Sequence, residues 1–286
     1  MMEDGLNKKS VLITGCSSGI GLEVAEGLKR LGYRVFATVR QKKDIEILNN
    51  KGLESLYLDL NDSSSIQSAM EEVLRRTGGT LYALFNNGGY GQPGAIEDLS
   101  REAIRIQFET NLFGAMELIN HVIPVMRKQG YGRIIQNSSV LGFVALPYRG
   151  AYISSKFALE GLTDTLRLEL ASTPIHVSLI EPGPISTRYK INSLKFFRKY
   201  ITPGNRPHSG AYKFLVDRLT STEPKLTFTL HPSKVLLKVI HALESKSPKI
   251  RYHVTFPTYL FAILKRILPD FILDKFLLLA SDKGRR

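Results

Sequence analysis

Six short apolar runs, at 10–14, 33–39, 53–58, 81–86, 132–138 and 175–181, recur along the first part of the chain. They do not alternate with polar residues: Val11-Leu12-Ile13, Val35-Phe36-Ala37 and Leu81-Tyr82-Ala83-Leu84-Phe85 are apolar throughout. That is the pattern of strands covered on both faces. Longer stretches of helical period lie between them, at 20–31, 64–76, 101–127 and 150–172. Strand and helix taking turns in this way predict an α/β fold, a doubly wound parallel sheet with helices on both faces. No internal repeat and no Gly/Ser-rich linker breaks the alternation, so one domain over 1–286 is expected.

The pattern changes after Glu181. Pro182, Pro184, Pro203, Pro207 and Pro232 punctuate a polar, basic stretch too long for an ordinary connection. Phe196, Phe197, Tyr200, Phe214, Leu215 and Leu219 lie among its charges, so 188–232 is read as a mobile apolar lid over a substrate site. A helix at 233–244, a short strand at 249–252 and an apolar C-terminal tail follow.

Composition narrows the setting. With 43% hydrophobic residues in 286, a sizeable core can be filled. The polar segment 1–10 lacks the apolar stretch of a secretory signal, and the single cysteine, Cys16, allows no intramolecular disulfide. Both observations fit a cytoplasmic protein. The formal charge of +13 invites an anionic small molecule, an anionic membrane or nucleic acid as partner. Its basic residues gather late, at Arg188, Lys190, Lys195, Arg198, Lys199 and Arg206, then at Lys265, Arg266, Lys283, Arg285 and Arg286. No zinc-finger spacing or RNA-binding aromatic signature accompanies them, so a solvated basic face is expected and no nucleic acid. The tail at 256–280 is dense in apolar residues, yet Lys265, Arg266, Pro269, Asp270, Asp274 and Lys275 leave no run of about 20 for a transmembrane helix. It is left either to pack on its own domain or a partner subunit, or to lie in a membrane interface.

The first strand runs into Gly15-Cys16-Ser17-Ser18-Gly19-Ile20-Gly21 and at once into helix-forming Leu22-Glu23-Val24-Ala25. Small residues at such a turn let the backbone approach a pyrophosphate, whose charge the helix N-terminus stabilises. Thr14-Gly15-x-x-x-Gly19-x-Gly21 resembles the cofactor loop of the short-chain dehydrogenase/reductase family. Other stretches agree in the family's order: Asp59, Asn86-Asn87-Gly88-Gly89, Asn111, Ser139, Tyr152-x-x-x-Lys156, and Pro182-Gly183 with Thr187. Gly88 departs from the usual alanine. Within the family, Cys16-Ser17-Ser18, Thr38-Val39-Arg40 and Glu181-Pro182-Gly183-Pro184 look most like the 17β-hydroxysteroid and retinol dehydrogenases. Cys16 then reads as a small loop residue.

A Tyr and a Lys four residues apart share one face of a helix. A phenol, with its ordinary pKa of about 10, is a poor acid–base catalyst near neutrality, and a nearby ammonium favours the phenolate. The resemblance implies that Tyr152 exchanges a proton with the reacting oxygen and that Ser139 hydrogen-bonds that oxygen. It implies that Lys156 also holds the nicotinamide ribose, and that Asn111 positions a water linking Lys156 to solvent. Ser138 and Tyr148 are the competing residues; Ser139 is preferred on its spacing from Tyr152, and no lysine or arginine stands four residues beyond Tyr148. The complete set argues for an enzyme over a binding module. The histidines form no metal-ligand spacing, so no metal is expected.

The implied cofactor contacts are Gly15, Ser17, Ser18, Gly19, Ile20, Gly21, Arg40, Asp59, Asn87, Tyr152, Lys156, Pro182, Gly183, Ile185 and Thr187, with Asp59 at the adenine and Thr187 at the carboxamide. Proteins of this fold that are specific for NAD usually carry a carboxylate at the end of the second strand; here Thr38-Val39-Arg40 offers a guanidinium, which favours NADP. The expected substrate is a lipophilic alcohol, aldehyde or ketone, retinoid-like or steroid-like among others. The resemblance also implies a homodimer through the two long helices.

Overall fold

The computed structural model describes residues 9–202, 207–221 and 228–281. Pro203, Arg206, Lys283, Arg285, Arg286 and residues 1–8 lie outside them. In chain order the elements are β1 (Ser10–Ile13), α1 (Gly19–Arg30), β2 (Arg34–Val39), α2 (Lys43–Asn49), β3 (Glu54–Tyr57), α3 (Ser63–Thr77), β4 (Ala83–Asn86) and α4 (Arg101–Phe108). They continue with α5 (Gly114–Gln129), β5 (Gly132–Asn137), α6 (Gly150–Glu169), β6 (Ile175–Glu181), α7 (Tyr189–Tyr200), α8 (Ser209–Thr220), α9 (Ser233–Glu244), β7 (Arg251–His253), α10 (Phe256–Ile267) and α11 (Asp270–Ala280).

The strands form one seven-stranded sheet in the order β3-β2-β1-β4-β5-β6-β7, every neighbouring pair parallel. Alternate side chains of each strand feed opposite layers. Val11, Ile13, Val35, Ala37 and Phe85 pack against α1 and α9 on one face, through Val24, Leu28, Val235 and Val239. Leu12, Phe36, Leu84 and Ile134 pack on the other face against α3, α5 and α6, through Ile66, Met70, Leu118, Val122 and Leu166. This is the doubly wound Rossmann-type arrangement, and it explains why the strands read as continuously apolar. The chain leaves β1 for β2 on one side and returns to β4 on the other, so a crevice opens at their C-terminal ends, where such folds bind ligands.

Three expectations change. The helix expected at 101–127 is not continuous, because Glu109–Phe113 form a π-helical segment between α4 and α5, an inserted register that hydrophobic spacing does not reveal. The expected strand at 249–252 forms at Arg251–His253, pairing with the end of β6. The stretch after β6 holds two helices, α7 and α8, and the tail two more, with Pro269 between them. No helix among the described residues is long and apolar enough to cross a membrane.

Candidate active site

The loop from β1 to α1 lies in that crevice. Gly15 and Gly19 have φ of 71° and 62°, in the left-handed region that suits glycine. A Cβ on Gly15 would stand 2.9 Å from the Gly88 Cα, and one on Gly19 would stand 3.1 Å from the Thr187 Cγ2. Gly21 is equally closed, lying against the Gly15 carbonyl and the Asn87 amide. The first turn of α1 carries no acidic residue, and Ser18, at its N-cap, does not cap it with its side chain. The helix therefore presents its uncapped N–H groups and positive end to the loop. Ser17 is exposed there, while Ile20 turns into the core. These features fit a dinucleotide pyrophosphate. Cys16 does not serve it: the thiol is buried, donates to the Ile13 carbonyl at 3.3 Å, and burial pushes its pKa up to about 12.

A chain of hydrogen bonds runs from this loop to the expected catalytic helix. The Thr14 hydroxyl accepts from the backbone N–H groups of Asn87 (2.9 Å) and Gly88 (2.8 Å). The Asn87 amide donates to the Thr14 carbonyl at 2.9 Å, and its oxygen accepts from the Asn137 amide at 3.0 Å. The Asn137 carbonyl in turn accepts from the Lys156 Nζ at 2.6 Å.

Tyr152, Lys156 and Ser139 meet at the C-terminal ends of β5 and β6. Tyr152 and Lys156 lie on one face of α6, with the Lys156 Nζ 5.9 Å from the centre of the Tyr152 ring. Burial lowers the Lys156 pKa to about 8 against the pull of Glu160, one turn further on. Burial raises the Tyr152 phenol well above its ordinary value, and the neighbouring Tyr189 adds to this. The Ser139 hydroxyl, hydrogen-bonded to the phenol, and the Arg149 guanidinium pull it back. Ser139 caps the short turn Val140–Gly142 by accepting from the Leu141 N–H at 3.1 Å, which fixes its hydroxyl beside the Pro182 carbonyl at 3.5 Å. Ser138 faces the other way, toward Glu160. Tyr148 engages His208 through its hydroxyl at 3.3 Å.

Asn111 sits in the π-helical segment and is buried. Its amide donates to the Tyr90 carbonyl (3.0 Å) and the Ser155 hydroxyl (3.1 Å), and its oxygen accepts from the Tyr90 N–H at 3.1 Å. The side chain is thus bonded to the loop after β4 and to α6, where it braces the helix that carries Tyr152 and Lys156. Of the remaining expected contacts, Arg40 is exposed just past β2, and the Asp59 carboxylate accepts from the Asn61 N–H at 3.1 Å after β3. The Pro182 carbonyl accepts from the Val140 N–H at 2.8 Å, and Gly183 lies tight against Thr255 and Thr258. Ile185 bridges to Leu230, and the Thr187 hydroxyl accepts from the Tyr189 N–H at 3.2 Å as its methyl covers Gly19.

Across the site, α7 and α8 bury Phe197, Tyr212, Leu215 and Leu219 against Ala95, Leu99, Ala103 and Ala151. Phe196 stacks on Tyr90 at 3.7 Å, and the Tyr189 ring meets that of Tyr152 edge-on at 5.8 Å. The tail closes the other side: Leu273 and Leu277 pack on Leu141, Val144 and Ile153, with Phe261, Leu264, Leu268 and Tyr152 at the margin.

The model of the short chain dehydrogenase family matches residues 9–195. The chain belongs to that family. It is 43% identical over 272 residues to the uncharacterized oxidoreductase YbbO of Escherichia coli K12, covering 94% of both chains. It is 38% identical to human 17-beta-hydroxysteroid dehydrogenase type 1, covering 86% of this chain and 77% of that one. Its fold is similar to a crystal structure of actinorhodin polyketide ketoreductase with NADPH, with a TM-score of 0.71, 28% identity and coverage of 87% and 96%. The protein is an NAD(P)-dependent oxidoreductase acting on the alcohol/carbonyl pair.

Some residues of this short-chain dehydrogenase escape sequence reasoning. Asn137 ends a strand and shows no motif, yet it links the loops to Lys156. Behind Lys156, Glu160 and the fully buried Glu181 share Arg251, whose guanidinium reaches them at 3.3 and 3.2 Å, and Glu181 also contacts His253. Burial and the facing Glu181 push Glu160 above the usual carboxylate range. Arg149, the N-cap residue of α6, and Arg218, from α8, line the cavity beside Tyr152. Charges so far apart in sequence give no spacing to read.

Proposed function

We propose that the protein is an NADP-preferring dehydrogenase/reductase of lipophilic aldehydes, ketones or alcohols, with Tyr152 as its general acid–base. The observation that carries the reading is the meeting of Tyr152 with Ser139, hydrogen-bonded to its phenol, and with Lys156, one turn further along α6, at the end of the glycine-lined crevice. A bound nicotinamide supplies or accepts the hydride. In reduction the Tyr152 phenol gives its proton to the carbonyl oxygen as the carbon takes the hydride, and the Ser139 hydroxyl steadies that oxygen. Lys156, held by the Asn137 carbonyl, stabilises the resulting phenolate and is placed to hold the ribose hydroxyls. Asn111 keeps α6 in register with the loop after β4.

The preference for NADP rests on Arg40, exposed where a carboxylate would otherwise reject the 2′-phosphate, with the Ser17 hydroxyl exposed in the glycine loop. The aromatic packing of α7 and α8 over Tyr152 supports a lid for an apolar substrate. The tail supports contact with a membrane surface. Phe256, Leu260, Ile263 and Ile267 form an exposed stripe at helical spacing on α10, Phe271 and Leu279 extend it on α11, and Arg266 and Lys275 lie beside it. A homodimer through α5 and α6 is the expected assembly. Oxidation of NADPH against a panel of lipophilic aldehydes and ketones tests the reading: turnover of at least one supports it, and none across the panel, with cofactor bound, contradicts it.

A further inference from the structure

Four ionisable side chains follow one another a turn apart along α6: Tyr152, Lys156, Glu160 and Asp164. The first two are the expected catalytic pair. Glu160 comes next and is 7% exposed, and a carboxylate so far out of water costs stability unless something answers its charge. The answer comes from the edge of the sheet. Arg251, on β7, donates to Asp164 at 2.5 Å and to Glu160 at 3.3 Å, and its Nε lies 3.2 Å from Glu181, the fully buried last residue of β6.

One guanidinium thus serves three carboxylates. Arg167 stands beside Asp164 at 3.4 Å, the His253 imidazole meets Glu181, and Tyr259 of α10 meets the His253 ring edge-on. The Ser138 hydroxyl faces Glu160 from just past β5. The short turn that Ser139 caps closes over the same carboxylate, since a Cβ on Gly142 would stand 2.9 Å from the Glu160 Oε1. Burial, then Glu181 and Asp164, disfavour the charge of Glu160, while Ser138 and Arg251 favour it. The Glu160 charge in turn favours the Lys156 ammonium that burial disfavours. From β7 to the phenol the groups therefore run in alternating sign: Arg251, Glu160, Lys156, and the phenolate of Tyr152.

We propose that Glu160 is a positioning residue for the proton transfer: its carboxylate, fixed by Arg251 one turn behind Lys156, is the counter-charge of the catalytic ammonium. This goes beyond the reading of Tyr152 as general acid–base and rests on it. Glu160 acts through Lys156 alone. A cluster that merely ties β7 to α6 would use Asp164, which shares the same guanidinium, in the same way.

The test is the pH dependence of kcat for reduction with NADPH in wild type, Glu160→Gln and Asp164→Asn, beside an NMR titration of Lys156 in protein carrying Cε-labelled lysine, its resonance assigned by its loss in Lys156→Met. Removing the counter-charge lets Lys156 lose its proton at lower pH, so in Glu160→Gln the basic limb of kcat and the Lys156 titration are both expected to move down by about one pH unit or more. Asp164→Asn takes a competing carboxylate away from Arg251 and is expected to leave both where wild type has them or to move them up. Either quantity unmoved in Glu160→Gln, or moved down as far by Asp164→Asn, overturns the proposal. Should Glu160→Gln not fold, wild type decides: the Lys156 resonance should inflect first as Glu160 titrates, near pH 7, and again with its own proton, near pH 8, and a single inflection overturns the proposal. Should no carbonyl compound be turned over, the reading of Tyr152 fails on its own, and the Lys156 titration in the three proteins still reads the counter-charge.

Discussion

The Lys156 ammonium donates to the Asn137 backbone carbonyl at 2.6 Å, and the Asn137 side chain donates to Asn87 at 3.0 Å, so the catalytic helix is tied to the loop beneath the cofactor crevice. An ammonium in this position is 5% exposed and electrostatically unfavourable, which is what a group kept for chemistry, and not for stability, looks like.

Stability against pH follows with a definite sign. The folded-state pKa of Lys156, about 8, lies below its ordinary 10.5. Below about pH 8 both states carry the proton and the burial penalty is present in full. Between 8 and 10.5 the unfolded chain binds more protons than the folded one, so this residue makes the protein more stable as pH rises through that window. Lys156→Met removes the penalty, roughly 3 kcal/mol by the conversion between pKa and free energy, and loses one hydrogen bond of about 1 kcal/mol. Thermal unfolding at pH 7 should therefore show a Tm higher by roughly 4 to 8 °C, with the gain shrinking toward pH 10 and turnover abolished. A Tm lowered equally at both pH values contradicts the assignment.

Arg40 sets the cofactor prediction. Charge-assisted hydrogen bonds to the 2′-phosphate contribute roughly 1.5 to 3 kcal/mol, so Arg40→Ala should cut the preference for NADPH over NADH by about ten-fold or more, measured as kcat/KM at fixed salt. The NADH value should hardly change. Equal losses with both cofactors would assign Arg40 to the fold, and a wild type preferring NADH would overturn the preference.

The exposed stripe on α10 and α11 predicts salt-sensitive sedimentation with vesicles containing anionic lipid, because both the apolar face and its flanking cations contribute. Replacing Ile263 and Ile267 together by Ser should release the protein while leaving it folded, since both side chains are more than half exposed (59% and 67%). Unchanged sedimentation of the double variant argues against a membrane role for this face.

How much of this was legible in the sequence depended on whether the physics was local. Strands covered on both sides announce themselves as unbroken apolar runs, and the glycine loop and the Tyr152–Lys156 pair carry their chemistry in fixed spacing. The π-helical segment around Asn111 was invisible, because one inserted register hardly disturbs hydrophobic periodicity. The helices α7 and α8 were hidden by the prolines and basic residues around them. The tail was ambiguous for a reason: α10 is apolar on the face that Phe261 and Leu264 turn to the protein and on the face that Phe256, Ile263 and Ile267 turn away. Arg149 and Arg218, brought together only by tertiary packing, left no trace.

The most direct test of the central claim is the turnover of Tyr152→Phe. The substitution removes only the hydroxyl and leaves the ring packed against Tyr189, so NADPH should bind as in wild type by fluorescence titration. General acid–base catalysis contributes roughly 10² to 10⁴-fold, so kcat on the best substrate should fall by that amount. A variant that keeps a tenth or more of wild-type kcat would mean that another group supplies the proton, and the account of this site would be wrong.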